Sequence, residues 1–364
     1  MTIQEVINQI EDFAPTAYAE DFDNVGLLVG DSSKEVTQAL ITLDTLEATV
    51  EEAIEKDCNL IISFHPIIFS GLKKLTGKNY VEKTVLKAIR NDIAIYAIHT
   101  ALDNQYKGVN DMISEKLGLK NRQILIPRKD SVKKLTTFVP VKNADEVRNA
   151  LFKAGGGSIG NYDNCSFNIT GKGSFKGNEE SNPVIGEKGQ VHFEEEAQIG
   201  ITYPAHLEAG ILKALFSSHP YEEVAYEIHS LENKNQHLGM GMIGELSEEM
   251  DETSFLKEVK KAFGSGCIRH SKLLNKKIKK VAVLGGSGAF AIENAKAAGA
   301  DIFITADLKY HDFYKAEEKL VLADIGHYES EQFTKNLLYS FLSEKISSFA
   351  LILADTNTNP INYL

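Results

Sequence analysis

An α/β fold is what the sequence predicts, built as two similar α/β lobes with a ferredoxin-like α+β domain inserted between them. Three observations carry that expectation. Apolar runs of strand length alternate with helical patterns early in the chain, the same alternation returns late, and the middle changes rhythm. At 364 residues the chain exceeds one ordinary domain. The expected division is 1–129 for the first lobe, 130–232 for the insertion and 233–364 for the second lobe.

The elements follow in order. Thr2 and Glu5 form a T-x-x-E capping box for a helix that places Ile3, Val6, Ile7 and Ile10 on one face. After the glycine-bearing "NVGLLVGD", "TQALITLD" reads as a buried strand, "TLEATVEEAIEKD" as a helix and "NLIISF" as a second strand. That is a βαβ unit, so the sheet is parallel. A helix near "VEKTVLKAIRND" leads into the strand "IAIYAI", which runs directly into "HTALDN". The late part repeats the grammar: "KKVAVL" is a strand, "GGSG" a turn, "AFAIENAKAAGA" a helix, "DIFIT" a strand, and "LVLADIGHYESE" a strand with a polar end.

In the middle, "KKLTTFVPV", "NCSFNITGKGSF", "QVHFEEEAQIGITY" and "EVAYEIHSL" read as strands. The segments "NADEVRNALFKAG" and "AHLEAGILKALFSS" between them read as helices. The order β-α-β-β-α-β is that of a ferredoxin-like sandwich. The loops "AGGGSIGN" and "GSFKGNEESNPVIGEKG" read as glycine-rich connections, either surface loops or a lid.

With 43% hydrophobic and 25% charged residues, the composition is that of an ordinary globular protein. No apolar run reaches the ~18 residues of a membrane span. Cys58, Cys165 and Cys267 are odd in number and form no C-x-x-C pair, which argues against a disulfide framework and a thiolate zinc site. A cytoplasmic location is expected. The formal charge of −12 repels the phosphate backbone, so neither nucleic acid nor membrane is an expected partner.

Ligands of an open parallel sheet gather at the carboxyl ends of its strands. Four strand ends carry suitable groups: His65, His99 with Asp103, Asp307 with His311, and His327 with Glu331. Residues four apart share a helical face, so His327 and Glu331 can aim at one point; His99 and Asp103 have the same spacing, on a helix or on a turn. Imidazole and carboxylate without thiolate suit zinc first, then manganese, iron or magnesium, in an open site. A carboxylate can bridge two cations roughly 3.5–4 Å apart, and Glu331 is the candidate bridge. A lone histidine after a strand is more often a hydrogen-bonded cap, but four such strand ends bring the metal reading level with that one.

Three further motifs have open readings. The amides of "LGGSGAF" can cradle an anion or simply turn the chain, without the Lys-Ser/Thr of a P-loop. Asp23 and Asn24 either line the site or shape a turn. His219, Glu222 and Glu223 in "SHPYEEVAYEI" offer binding groups or a turn before a strand.

Together "DFDNVGLLVGD", "LIISFHPIIF", "HTALDN", "LGGSG", "TADLKYHD" and "DIGHYESE" resemble the NIF-three-like dinuclear metal-binding family, whose members carry the name GTP cyclohydrolase I type 2 homolog. The middle segment, with "NPVIGEKG" and "HPYEEVAYEI", resembles the PII/CutA-like domain of its long bacterial form. The resemblance implies a toroidal homohexamer with two divalent metal ions per chain. It places metal ligands on His65, Asp103, His327 and Glu331, with His99 beside them as a further ligand. Where the family reads His-His-Pro, this chain reads Phe64-His65-Pro66. A phenyl ring offers no lone pair, so the two metals are expected to be held unequally, more readily on the side of His65 and His327.

Two functions fit these residues. One is a metal-dependent hydrolase of GTP cyclohydrolase type acting on a nucleotide-like substrate, with His99, His311 and Glu331 as catalytic candidates. The other is a non-catalytic metal-binding or small-molecule-sensing assembly.

Overall fold

A computed structural model describes all of residues 1–364. The chain divides into two compact units, Met1–Pro127 with Gln236–Leu364, and Arg128–Asn235. The first unit opens with α1 (Ile3–Phe13), capped as the sequence implies: the Thr2 hydroxyl accepts from the Glu5 amide at 3.2 Å, and the Thr2 amide donates to the Glu5 carboxylate at 2.8 Å. Next come β1 (Gly26–Val29), β2 (Gln38–Thr42), α2 (Glu47–Glu55), β3 (Leu60–Ser63), α3 (Tyr80–Arg90) and β4 (Ala94–Ala97). β4 runs into α4 (His99–Asn104), and α5 (Val109–Lys116) leads to β5 (Lys120–Arg128).

The second unit contains β6 (Val132–Pro140), α6 (Ala144–Lys153), β7 (Phe167–Phe175), β8 (His192–Pro204), α7 (Glu208–Ser218) and β9 (Tyr226–Ser230). Its sheet has the order β7-β8-β6-β9 with every pair antiparallel, the ferredoxin-like arrangement. Strand alternation turns Leu135, Val139, Ala197, Ile199 and Ile201 toward Val147 and Leu151 of α6 and Ile211 and Leu215 of α7. The opposite face, which bears Phe138, Phe175 and Glu196, has no helix of this unit on it.

The chain then returns to the first unit through β10 (Asn235–Asp251), α8 (Glu252–Phe263), β11 (Arg269–His270), β12 (Lys277–Ser287), α9 (Ile292–Ala297) and β13 (Ile302–Ala306). It ends with β14 (Val321–Asp324), α10 (His327–Glu331), α11 (Thr334–Lys345) and β15 (Ala350–Leu353). Two sheets result, β1-β4-β3-β2-β15 and β11-β14-β13-β12-β10-β5. β2, β3 and β4 pair in parallel with one another, as do β12, β13 and β14. Both faces of such strands are covered, and β3, β4, β13 and β14 are buried at every residue.

The two sheets exchange strands. β15 joins the first sheet in parallel beside β2, and β5 joins the second beside β10. This departs from a division of the lobes by sequence position, because strand partners far apart in the chain leave no local pattern. Ile41, Ile62 and Tyr96 of the first sheet share one core with Val281, Ile304 and Val321 of the second. No helix is long and apolar enough to cross a membrane.

Candidate metal centre

Within the first unit the carboxyl ends of both sheets deliver their polar residues to one place. β3 ends at Ser63, two residues before His65, while β14 is followed by α10, which carries His327 and Glu331 on one face. His65 Nε2 and His327 Nε2 each lie 3.1 Å from Glu331 Oε2. The three ligand atoms fall within 4.8 Å of one another. Yet Glu331 Oε2 is buried with no aligned hydrogen-bond donor. The ligand atoms therefore converge on a shared point more than they bind one another, as atoms around a cation do.

Each imidazole is held from behind by an aspartate. His65 Nδ1 donates to Asp44 at 2.8 Å, His327 Nδ1 to Asp307 at 2.7 Å and His99 Nδ1 to Asp23 at 2.8 Å. A carboxylate on Nδ1 fixes the tautomer that leaves Nε2 with its lone pair, the arrangement that orients metal-ligating histidines. Asp44 lies two residues beyond the end of β2, and its strand-end position is the only sequence signal that could have found it. Asp23 also accepts from the Thr100 amide at 3.1 Å, so "DFDN" both shapes its turn and serves the site.

The glycines of "LGGSG" make room for the shared carboxylate. Gly286 has φ +66°, and a Cβ there would lie 2.4 Å from Glu331 Oε1. The neighbouring amides are occupied: Gly285 N–H donates to Asn110 and Gly286 N–H to Ser330, each at 3.0 Å. The anion-cradle reading therefore loses these two donors.

Asp103 and His99 lie on the other side of the cluster, both on α4, which settles the open choice between helix and turn. Asp103 Oδ1 is buried and has no hydrogen-bond partner. His99 has φ +30°, a conformation that costs a non-glycine residue energy and that gathers at functional sites. Phe64 is fully buried, its ring centroid 4.8 Å from that of His65 and 5.5 Å from that of His99. It therefore packs in the core against both imidazoles. His311, expected as a proton relay, is exposed between the rings of Tyr310 and Tyr314 and lines none of the cavities beside the cluster. Its strand does end near the site, but a turn of 3-10 helix carries the side chain outward.

Without a cation, the two imidazoles themselves carry positive charge toward Glu331, and a metal ion would take over that role by displacing their Nε2 protons. Burial pulls the His65 and His327 imidazoles down, but Asp44 with Glu331, and Asp307 with Glu331, outweigh it and push them up to about 10 and about 11. Burial likewise disfavours the Glu331 charge, and the two imidazoles overcome it and hold that carboxyl below its ordinary range. Asp103 moves the other way, raised by burial and then by the charge of Glu331. The set calls for positive charge at one point, which a divalent cation supplies, and its nitrogen and oxygen donors with an unpartnered buried oxygen fit such an ion.

A cavity of about 270 Å³ opens beside the cluster, lined by His99, Asp103, His327 and Glu331 together with Phe22, Phe69 and Phe290. A second, of about 360 Å³, reaches His65 from the side of Tyr328 and Ile361.

The fold recurs in known proteins. A Bacillus subtilis protein named GTP cyclohydrolase 1 type 2 homolog is 37% identical over 366 residues, covering 99% of this chain and 98% of the relative. The crystal structure of a Bacillus cereus protein related to NIF3 matches with TM-score 0.85 and 39% identity over 100% of this chain and 99% of its own. Staphylococcus aureus protein SA1388 matches with TM-score 0.80 and 31% identity over 100% and 99%. The family described as Duf34/NIF3 (NGG1p interacting factor 3) matches residues 1–360, and the chain, with its paired sheets and its His-Glu-His cluster, belongs to that family.

Proposed function

We propose that this protein is a metal-dependent hydrolase that holds divalent cations at the His65, His327 and Glu331 cluster and acts on a nucleotide-like substrate. One observation carries the reading: a buried carboxylate oxygen equidistant, at 3.1 Å, from two imidazole nitrogens without a directed hydrogen bond to either. His65, His327 and Glu331 would hold one ion, and Asp103 with Glu331 a second, with His99 standing beside it. Zinc suits this donor set best. Such an ion, when bound, acidifies water and polarises the bond to be cleaved.

The chain's own residues do the rest. Asp44 and Asp307 keep the ligating nitrogens aimed, while Asp23 holds His99 so that its Nε2 can take or return a proton at the cavity. Phe22, Phe69 and Phe290 offer ring faces on which a heterocyclic base stacks. The name of the relatives, GTP cyclohydrolase 1 type 2 homolog, supports a purine nucleotide as the first substrate to try. With Phe64 in place of a donor, the Asp103 side holds its ion less tightly. We further propose a cytoplasmic homohexamer, which light scattering of the purified chain would check.

The test is to incubate the zinc- or manganese-loaded chain with GTP and follow formate release, beside Glu331→Gln. Turnover that disappears in the variant supports the hydrolase. Absence of turnover with every one of these metals would reject it and favour the second reading, a metal-stabilised sensor, which the separate cavity of the second unit independently suggests.

A further inference from the structure

The second unit holds a cavity of about 410 Å³ that plays no part in the metal chemistry. Its floor is the open face of the sheet, where Phe138, Gly173, Phe175 and Glu196 alternate away from the helices. Its walls are the connection after β7 and the "HPYEE" turn between α7 and β9. The Asn182 amide of the first donates to the Glu222 carboxylate of the second at 2.6 Å, joining the two.

A run of hydrogen bonds fixes the shape of this cavity. Buried His219 donates through Nε2 to the Phe138 carbonyl at 3.0 Å and accepts the Tyr221 amide on Nδ1 at 3.1 Å. The Tyr221 hydroxyl in turn donates to Glu196 Oε1 at 2.8 Å, and the Phe175 ring meets Tyr221 edge-on at 5.6 Å. Glu196 Oε2 leans over Gly173, where a Cβ would lie 2.1 Å from it. Only glycine at 173 leaves the carboxylate in that place.

The lining is aromatic and acidic. Phe138, Phe175 and Tyr221 supply three rings, and Glu196, Glu222 and Glu223 outnumber the one cationic wall residue, Lys176. Ring faces attract cations and repel anions, and a carboxylate beside them strengthens the same preference. We propose that this cavity binds a small organic cation, an ammonium or amidinium group on an apolar body, with its charge on Glu196 and its body against Phe138 and Phe175. The cavity volume matches a ligand of that size.

Calorimetry on the full chain tests it with three probes of one shape: phenethylammonium, neutral 2-phenylethanol and anionic 3-phenylpropionate. The ammonium should saturate one site per chain and bind at least about tenfold more tightly than the other two. Glu196→Gln should weaken it by a similar factor with an unchanged melting curve. Gly173→Val, whose side chain enters the space Glu196 occupies, should abolish binding. Equal binding of all three probes, preference for the anion, full affinity in Glu196→Gln, or no heat from the ammonium would each overturn the proposal.

Discussion

Glu52 and Asp103 are two acids of the first unit whose carboxylates are shut away from water, and their surroundings are opposite. Glu52 Oε1 accepts from the Lys56 ammonium and the Asp355 amide, each at 2.7 Å, and Oε2 accepts from the Thr356 amide at 2.9 Å. Burial works against its charge, but these donors prevail and hold the carboxyl down at about 2. Asp103 Oδ1 has no donor, and burial together with Glu331 pushes its carboxyl well above the ordinary range. Glu52 is a satisfied joint that ties the C-terminal segment to α2. Asp103 is an unmet demand for positive charge. A buried acid does not by itself mark a site; the missing counter-charge does.

Asp103→Asn puts this comparison under the greatest strain. It should cost the chain the ion on the Asp103 side, measured by elemental analysis after desalting, while the metal-free protein melts no lower than the wild type. Unchanged metal content would break the contrast with Glu52. Next comes Phe64→His, which adds a nitrogen donor where a ring now packs. It should let a second ion survive mild chelation that strips it from the wild type; identical retention in both proteins would mean that the phenyl ring is not what limits that side.

Smaller effects are expected from the groups behind the imidazoles. Asp44→Asn or Asp307→Asn should weaken metal binding by about 10- to 100-fold, or about 1.4–2.8 kcal/mol. Competition with a fluorescent chelator reads this directly, and wild-type affinity in both variants would show that Nδ1 needs no carboxylate. Glu52→Gln should leave metal content alone and cost about 2 kcal/mol of stability. Its folded-state value of about 2 lies below the usual 4.5, so that contribution is complete above about pH 4.5 and is lost as pH falls toward about 2. Melting curves of wild type and variant should converge over that interval, and a constant gap would assign the cost to shape instead of charge.

Much of the candidate centre was legible because its polar residues lie at or just after strand ends. His65, Asp103, His327 and Glu331 could be named from apolar runs and a spacing of four, and α10 turns that spacing into a shared face. What stayed hidden depends on contacts between distant segments. Asp44 faces His65 from another strand, and Asp307 was visible only as one of several acids after a strand. The glycines of "LGGSG" read as an anion cradle or a turn, because nothing local reveals that Glu331 needs the space above Gly286. His311 shows the converse case, an exposed side chain away from the cluster. A strand end gives the neighbourhood of a side chain but not its direction, which the 3-10 turn sets. In the second unit the succession of strands and helices was readable from the sequence pattern, whereas the cavity required knowing that two loops meet at Asn182 and Glu222.

The seating of β15 beside β2, with Ala350 opposite Gln38, has a consequence for synthesis. On the ribosome β1 to β4 of the first sheet emerge early, yet the outer edge of β2 has no partner until β15, far along the chain, appears. An open strand edge invites pairing with other nascent chains. Translation that halts before Ala350 would therefore release a sticky chain instead of a smaller working protein, and β15 acts as the clasp that makes the newborn molecule safe.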